Sequence, residues 1–381
     1  MTVVQNDYFG RSFQNDRMIG YENCRFLIRK VLGMSQSHYI GLDVSARSVN
    51  LCAVDQDGLV VHERKLSSDP EEIAQHILAL PFVIARVGLE AGMLSQHIYG
   101  GLAESNLPVV CVETRHMKAA LSAQLNKTDR HDARGIAQMI RVGLFKPVHV
   151  KTRTSQRLRT ILTARQLLRS KLQDVENEIR GLIRNFGYHL GKVTARDFEP
   201  RVRELVADTD LHIVADALLL ARRSLREQFG RLDDTLVKLA RQDEVTRRFM
   251  TVPGVGPLVA LTFRATVDVP SRFSRSRTVG AHFGLTPRKQ QSGEVDRSGR
   301  ISRWGDEMMR SLLYEAAQVL LTRVKRWSSL KAWAVRVSRR RGHKKAIIAL
   351  ARRIAVILHR MWIDGTEFDW GVKPEATAPS A

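Results

Sequence analysis

The spacing of apolar residues changes once along this 381-residue chain, from runs and alternation to three-four spacing, so one polypeptide must build two different architectures. From Tyr39 onward, YIGLDV, VNLCAV and LVVHERKL are strand-like runs joined by short polar turns, the second being Asp55-Gln56-Asp57-Gly58. This spacing predicts an antiparallel meander. Ser68-Asp69-Pro70-Glu71-Glu72 then carries cap, proline and acidic first-turn signals for a helix through Leu80, and FVIARVGLE follows as a buried strand. Another helix and a strand from Val109 to Val112 complete the pattern. Three meandering strands followed by alternating helix and strand predict an α/β layer fold of the ribonuclease-H-like kind over residues 38–150.

Across residues 151–245 the period becomes helical. Leu158, Ile161, Leu168, Leu172, Val175, Ile179, Leu182 and Phe186 keep three-four spacing, broken only by Arg165. Val214, Leu218, Ala221, Leu225, Phe229, Leu232, Leu236 and Leu239 nearly repeat it. Two long amphipathic helices are predicted, separated by a gap holding Gly187, Gly191 and Pro200. They fold back on each other as an antiparallel coiled coil, pair with another subunit, or belong to an ordinary bundle; spacing alone leaves all three open. Residues 246–365 form a further, Gly- and Arg-rich domain that ends in a basic helical stretch. Residues 1–37 read as a flexible extension or a short helix, and 366–381 as a disordered tail.

Charge narrows the function. Lys and Arg number 61 against 39 Asp and Glu, a net of +22, and such a field favours polyanions through phosphate neutralisation and counterion release. No stretch approaches the apolar length of a spanning helix, so no membrane partner is expected. Cys24, Cys52 and Cys111 are widely spaced and form no CxxC pair, which points away from a disulfide framework or zinc ribbon. The first residues lack the apolar core of a secretory signal. The expected location is the cytoplasm, nucleoid-associated when bound to DNA.

Asp43 interrupts an apolar strand near its end, Glu90 ends another, and Asp129 and Asp132 begin a helix near Thr128. Carboxylates at neighbouring strand ends share one rim, and an i, i+3 pair presents both acids from one helix face. Four acidic side chains suit hard cations, and phosphodiester chemistry needs the charge relief that two Mg²⁺ (or Mn²⁺) ions about 4 Å apart supply. Taken alone, Asp129 and Asp132 are equally readable as a cap and a first-turn acid. Sugar-kinase and actin-like ATPases also open with a strand such as IGLDV. They need glycine-rich phosphate loops, whereas Val44-Ser45-Ala46-Arg47 follows Asp43 here.

The run from Gly284 to Ala317 combines small residues with Arg288, Lys289, Arg297, Arg300, Arg303 and Arg310, a loop suited to gripping phosphate. Ser292 precedes Gly293, which permits close backbone approach to DNA. A serine nucleophile needs activation, and no His stands beside Ser292, so on residues alone Ser298 and Ser302 are equal rivals. Pro253-Gly254-Val255-Gly256-Pro257 is similar to the hairpin of helix-hairpin-helix modules, or is a helix-start turn. Arg339, Arg340, Arg341, Lys344 and Lys345 alternate with apolar residues, giving helices with a cationic, nucleic-acid-facing side or a merely solvated one.

With these residues in place, the chain resembles the DEDD, RuvC-like transposases of bridge-RNA-guided insertion sequences, a family shared with the pilin-type DNA invertases. The resemblance runs from about Ser37 to Asp364 through YIGLDVS, GLEAG, LNKTDRHDARGIAQMI, VPGVG and FGLTPRKQQSGEVDRSGRISRWGDEMMRSLLYEAA, in order. It implies an α/β plus α chain: a RuvC-like catalytic domain, a helical coiled-coil connector and a mainly helical C-terminal transposase domain. It implies metal-binding acids at Asp43, Glu90, Asp129 and Asp132 and a nucleophile at Ser292. It also implies Mg²⁺, donor and target DNA, a bridge RNA, and a homo-oligomer, dimer or tetramer, whose active centre joins the acids of one subunit to the serine of another. Where many relatives carry Lys-x-Gly-Asn, this chain reads Arg303-Trp304-Gly305-Asp306. A junction-cleaving nuclease using water, and a non-catalytic nucleic-acid-packaging protein, are the competing readings.

Overall fold

Strand β1 (Ser37–Val44) pairs antiparallel with β2 (Ser48–Val54), and β2 with β3 (Val60–Ser67), which is the expected meander. A computed structural model describes residues 37–115, 117, 128–293 and 295–371; expectations for residues 1–36 and 372–381 lie outside them. Helix α1 (Pro70–Leu78) starts at Asp69, whose side chain accepts the Glu71 amide, with proline at the first position. It leads to β4 (Val83–Glu90), then α2 (Ser95–Glu104) and β5 (Val109–Val112). The sheet order is β3-β2-β1-β4-β5, with β4 and β5 parallel to β1. The order and directions fit the ribonuclease-H-like expectation.

Helix α3 (Asp129–Val142) covers one face of this sheet. Two glycines permit it. A Cβ on Gly41 would lie 2.2 Å from the Ala133 carbonyl oxygen and 2.4 Å from the Ala137 nitrogen, and one on Gly88 would lie 2.4 Å from Cγ1 of Ile140. The helix backbone therefore rests directly on β1. On the core side of the sheet, Ile40, Leu42, Val87 and Leu89 are fully buried with Ile73, Ile77, Ile98 and Leu102 of α1 and α2.

The chain divides into two compact units, residues 1–151 and 152–381. The second begins with helix α4 (Arg153–Asn185), followed by α5 (Phe198–Val206) and α6 (Leu211–Gln242). Helices α4 and α6 pack against each other within the chain, and pairs such as Arg165 with Asp233 and Glu176 with Arg222 fix an antiparallel register. Arg165, the one break in the apolar stripe, lies with its guanidinium 4.6 Å from the Phe229 ring centre and its Nε 2.6 Å from Asp233. On the first half of α6 the buried seam runs one residue from the expected one, Ala215, Leu219 and Arg222 being buried and Val214 and Ala221 exposed, whereas further along Leu236 is buried as expected. Leu162 and Leu236 share a core with Leu261 and Ala265, so the connector is built into the C-terminal body.

That body contains α7 (Glu244–Phe249), α8 (Pro257–Val267), α9 (Arg277–His282), the ribbon β6 (Pro287–Ser292) and β7 (Val295–Ile301), then α10 (Glu307–Thr322), α11 (Ser329–Arg341) and α12 (His343–Asp364). Edge-to-face contacts of Phe249 and Phe283 on Phe263, at 5.3 and 5.8 Å between centroids, anchor its core. Residues 366–371, expected to fray, are instead held: the Phe368 amide donates to Thr251 Oγ1 at 3.0 Å, and Arg326 lies over the Trp370 ring. The aromatic pair Phe368 and Trp370 supplies the apolar area that a frayed end would lack. No helix among the described residues is long and apolar enough to cross a membrane.

Candidate functional site

Leu42 on β1 is in register with Leu89 on β4, so the next residues, Asp43 and Glu90, stand at neighbouring strand ends. Both are half-buried. Burial pushes the Cys111 thiol up, and the charge of Glu90 adds to that shift, which sets the carboxylate beside β5. Helix α3 runs against the direction of β1. Its C-terminal half is tied to the β2–β3 turn, at the amino end of β1, by Gln138 Nε2 to the Gly58 carbonyl (2.6 Å) and Arg141 Nη1 to the Gln56 carbonyl (2.9 Å). Its first turn, with Asp129 and Asp132, therefore points toward the carboxyl end where Asp43 lies.

The cap of α3 is Thr128, whose hydroxyl accepts the His131 amide at 3.3 Å, so neither aspartate is needed as a cap. Arg134 locks the helix to β3 through a two-pronged contact with Glu63, Nε to Oε1 at 2.5 Å and Nη2 to Oε2 at 2.9 Å; Arg130 lies 3.5 Å from the same carboxylate. Hydrogen bonding from Arg134 holds the Glu63 carboxyl below its ordinary range, reinforced by the charges of Arg134 and Arg130. Beside it, burial pushes the Cys52 thiol up to about 12, so this cysteine is a packed hydrophobe rather than a reactive thiol. Gly41, Gly88, Glu63 and Arg134 support the site without carrying its chemistry. The glycines were visible as small residues inside apolar strands, a mark of close backbone approach.

The four acids are thus gathered by backbone topology to one end of the sheet, but their side chains do not close on a common point. Among the described residues no three His, Cys, Asp or Glu side chains lie together as a metal cradle. Asp129 is exposed in the first helical turn, whereas Asp43, Glu90 and Asp132 are half-buried. The donor chemistry, carboxylate oxygens only, fits a hard divalent cation.

Ser292 lies in the other unit. It ends β6, paired with Val295, and Gly293 follows at φ 55°, so the serine sits at the tip of a hairpin rather than in the irregular loop expected. Every residue of β6 is exposed. An isolated two-stranded ribbon is marginal by itself, so its base must be fixed. Gly284 (φ 68°) and Gly305 (φ 84°) do this by close approach: a Cβ on Gly305 would lie 2.0 Å from the His282 carbonyl oxygen. Ser302 N donates to Thr286 O (2.8 Å), Arg303 N to Gly284 O (3.2 Å) and Arg288 Nη2 to Ser302 O (3.1 Å).

Arg288, Lys289, Arg297 and Arg300 stand exposed on the ribbon with Arg303 at its foot, while Ser298 lies within β7 and Ser302 beyond it. Arg310 differs, because its Nη1 donates to the carbonyls of Phe283 (3.3 Å) and Trp304 (3.4 Å), which makes it a tie at the hairpin base. Asp306 caps α10 through the Met309 amide (2.7 Å) and pairs with Arg159. An Asn there would cap equally, so the Arg303-Trp304-Gly305-Asp306 departure keeps the helix start and adds an ion pair.

The PGVGP turn joins α7 to α8 and gives a helix-turn-helix outline, but Gly254 faces inward. A Cβ there would lie 2.4 Å from the Ala316 carbonyl oxygen of α10. Gly256 is the N-cap of α8 and Pro257 its first residue, which favours the helix-start reading. Arg339, Arg340, Arg341, Lys344 and Lys345 are exposed on either side of Gly342, where α11 ends and α12 begins.

Two family matches cover much of the chain, the first running past residue 151 through α4. Residues 40–187 match the IS110-type DEDD family described as "Transposase", and residues 246–333 match the "Transposase IS116/IS110/IS902 family". The chain is similar to the "Transposase for insertion sequence element IS1111A" of Coxiella burnetii, 29% identical over 85% of this chain and 89% of that protein. It is also similar to the "Putative transposase y4pF/y4sB" of Sinorhizobium fredii, 28% identical over 93% of this chain and 92% of that one. The "Probable family 20 transposase" of Pseudomonas aeruginosa is 26% identical, over 84% of this chain and 95% of its own length.

Proposed function

We propose, from the premise that this chain belongs to the IS110-type DEDD transposases, that it cuts and rejoins DNA with Ser292 as nucleophile and Asp43, Glu90, Asp129 and Asp132 as metal-holding acids. The observation that carries this reading is the rim of the first unit: two carboxylates at adjacent strand ends and an acidic helix turn directed toward the same end. These four residues would hold Mg²⁺ or Mn²⁺, which supplies charge relief at the non-bridging oxygens of a phosphodiester.

Ser292 then forms a phosphate ester through Oγ as one bridging P–O bond of DNA breaks and releases a sugar hydroxyl. The ester conserves the bond energy, so a second hydroxyl can reverse the step and join a new strand. Arg288, Lys289, Arg297, Arg300 and Arg303 neutralise phosphate along the ribbon, and Arg339, Arg340, Arg341, Lys344 and Lys345 extend the basic surface. A bridge RNA pairs with donor and target DNA, and a homo-oligomer supplies the acids and the serine from different subunits. The reaction takes place in the cytoplasm, on nucleoid DNA.

A joining assay with donor and target DNA, and the RNA co-purified with the protein, tests this. Ser292→Ala is expected to abolish joining and any covalent protein-DNA adduct, and Asp43→Asn to lower joining by at least about 100-fold, with thermal unfolding unchanged. Persisting cleavage in Ser292→Ala would mean that water is the nucleophile. Joining that survives both substitutions would leave a nucleic-acid-packaging role.

A further inference from the structure

A second basic feature involves none of the residues assigned above. The segment before α5, α5 itself and α6 form an open, shallow cleft of about 750 Å³ lined by Ala195, Glu199, Pro200 and five arginines: Arg196, Arg203, Arg222, Arg223 and Arg226. Its floor is built. Arg222 is 3% exposed, donates from Nε to Glu176 (2.8 Å) and from Nη2 to the Ala195 carbonyl (3.0 Å), and lies 4.4 Å from the Phe198 ring centre. Glu199 pairs with Arg203 at 3.4 Å and with Arg223, and the Arg223 hydrogen bond holds its carboxyl below the ordinary range.

The remaining charge is uncompensated. The carboxylates touching these guanidiniums are Glu176, Glu199 and Asp216, whereas Arg226 donates only to the Ala195 carbonyl and Arg196 has no ion pair among the described residues. Guanidiniums from separate segments that face one concavity repel one another until an anion enters. Arg222, Arg223 and Arg226 come from α6, Arg203 from α5 and Arg196 from the segment before it, so the cluster is wider than one helix face. Planar, forked donors match phosphate oxygens, which is where Arg differs from Lys. The cleft offers no Asn or Gln to read a base edge, and its nearby ring, Phe198, is already covered by Arg222 and Arg180.

We propose that this cleft binds the sugar-phosphate backbone of a nucleic acid without reading its sequence, as a second contact beyond the serine ribbon. The proposal rests on the reading that the protein handles nucleic acid, but not on its chemistry. The full-length protein is titrated against a labelled hairpin RNA and, separately, a labelled duplex DNA of unrelated sequence, over a salt series. The double variant Arg196→Gln/Arg226→Gln should bind at least one probe about tenfold more weakly and flatten its log-log salt slope by about 1 to 2. Loss confined to the RNA or to the DNA arm names the backbone that fills the cleft.

Arg169→Gln/Arg241→Gln removes the same charge from exposed positions on α4 and α6 and should shift binding far less. Arg196→Gln alone, at an exposed position, gives about a threefold loss on the same assay, which guards against misfolding of the double variant. Equal effects of the target and control pairs, or no effect of the target pair, would overturn the proposal. Wild-type protein that binds neither probe would overturn this proposal and the transposase reading together. The titration reads binding and not joining, so a failure of the serine chemistry stays distinguishable from a failure of the cleft.

Discussion

Asp43 sits two residues beyond a glycine on which a helix backbone rests, while Ser292 ends a strand whose residues are all exposed and whose support lies at its base. The acids are positioned by buried backbone packing, in which a displacement costs core contacts. The serine is positioned by a lever whose far end meets solvent. The first region is thus fixed by close packing, and the second is held only at its foot.

The strongest way to break this comparison is Gly41→Val. With Ala133 O 2.2 Å from the new Cβ, α3 must lift, and the first unit should lose about 3 kcal/mol or more, read as a lowered urea midpoint together with loss of DNA joining. An unchanged midpoint would mean that the rim is not held by this packing. Gly305→Ala should destabilise the second unit by about 2 to 3 kcal/mol, since it combines a φ of 84° with overlap at His282. Joining should fall while the first unit's unfolding is unaffected; a shift in both would show that the regions are not separately held.

Arg134→Met is smaller, about 1 to 2 kcal/mol at neutral pH after allowance for solvent at the partly exposed guanidinium. Its signature is pH dependence. Because Arg134 depresses the folded-state titration of Glu63, the stabilisation is present above the unfolded carboxylate value of about 4.3 and fades as pH falls through the lower folded value. The variant's melting temperature should therefore converge on that of the wild type in acid; a constant gap would show that the contribution is packing, not charge. Smallest is Asp306→Asn, expected to cost about 0.5 to 1 kcal/mol by losing Arg159 while keeping the Met309 cap; Asp306→Ala should cost about 1 kcal/mol more in the same melting assay.

Legibility in the sequence follows the same line between buried and exposed. Strands such as YIGLDV could be read because one or both faces are buried, and the acids because they break or end those runs. Residues of β6, and 296–300 of β7, are all exposed and have no buried face to impose alternation, so PRKQQS and VDRSGRI read as loop although they pair. Helix α5 was overlooked in a gap with glycines and a proline, although Phe198, Val202 and Val206 keep a spacing of four and are buried. The one-residue offset on α6 has a plain cause: Arg222 occupies the seam because Phe198, Glu176 and the Ala195 carbonyl satisfy it, a substitution that hydrophobic spacing cannot anticipate. The arginine cleft was invisible for the same reason, since its members are scattered over thirty-one positions, from 196 to 226, and meet through the fold of α5 against α6.

The glycine of VPGVG that faces Ala316 has a consequence for reading genomes. Its hydrogen is the only substituent the neighbouring carbonyl tolerates at that distance, whatever the protein does to DNA. A copy in which Asp43 or Ser292 was substituted would still need that motif to fold, so the motif reports on the scaffold and not on any chemistry.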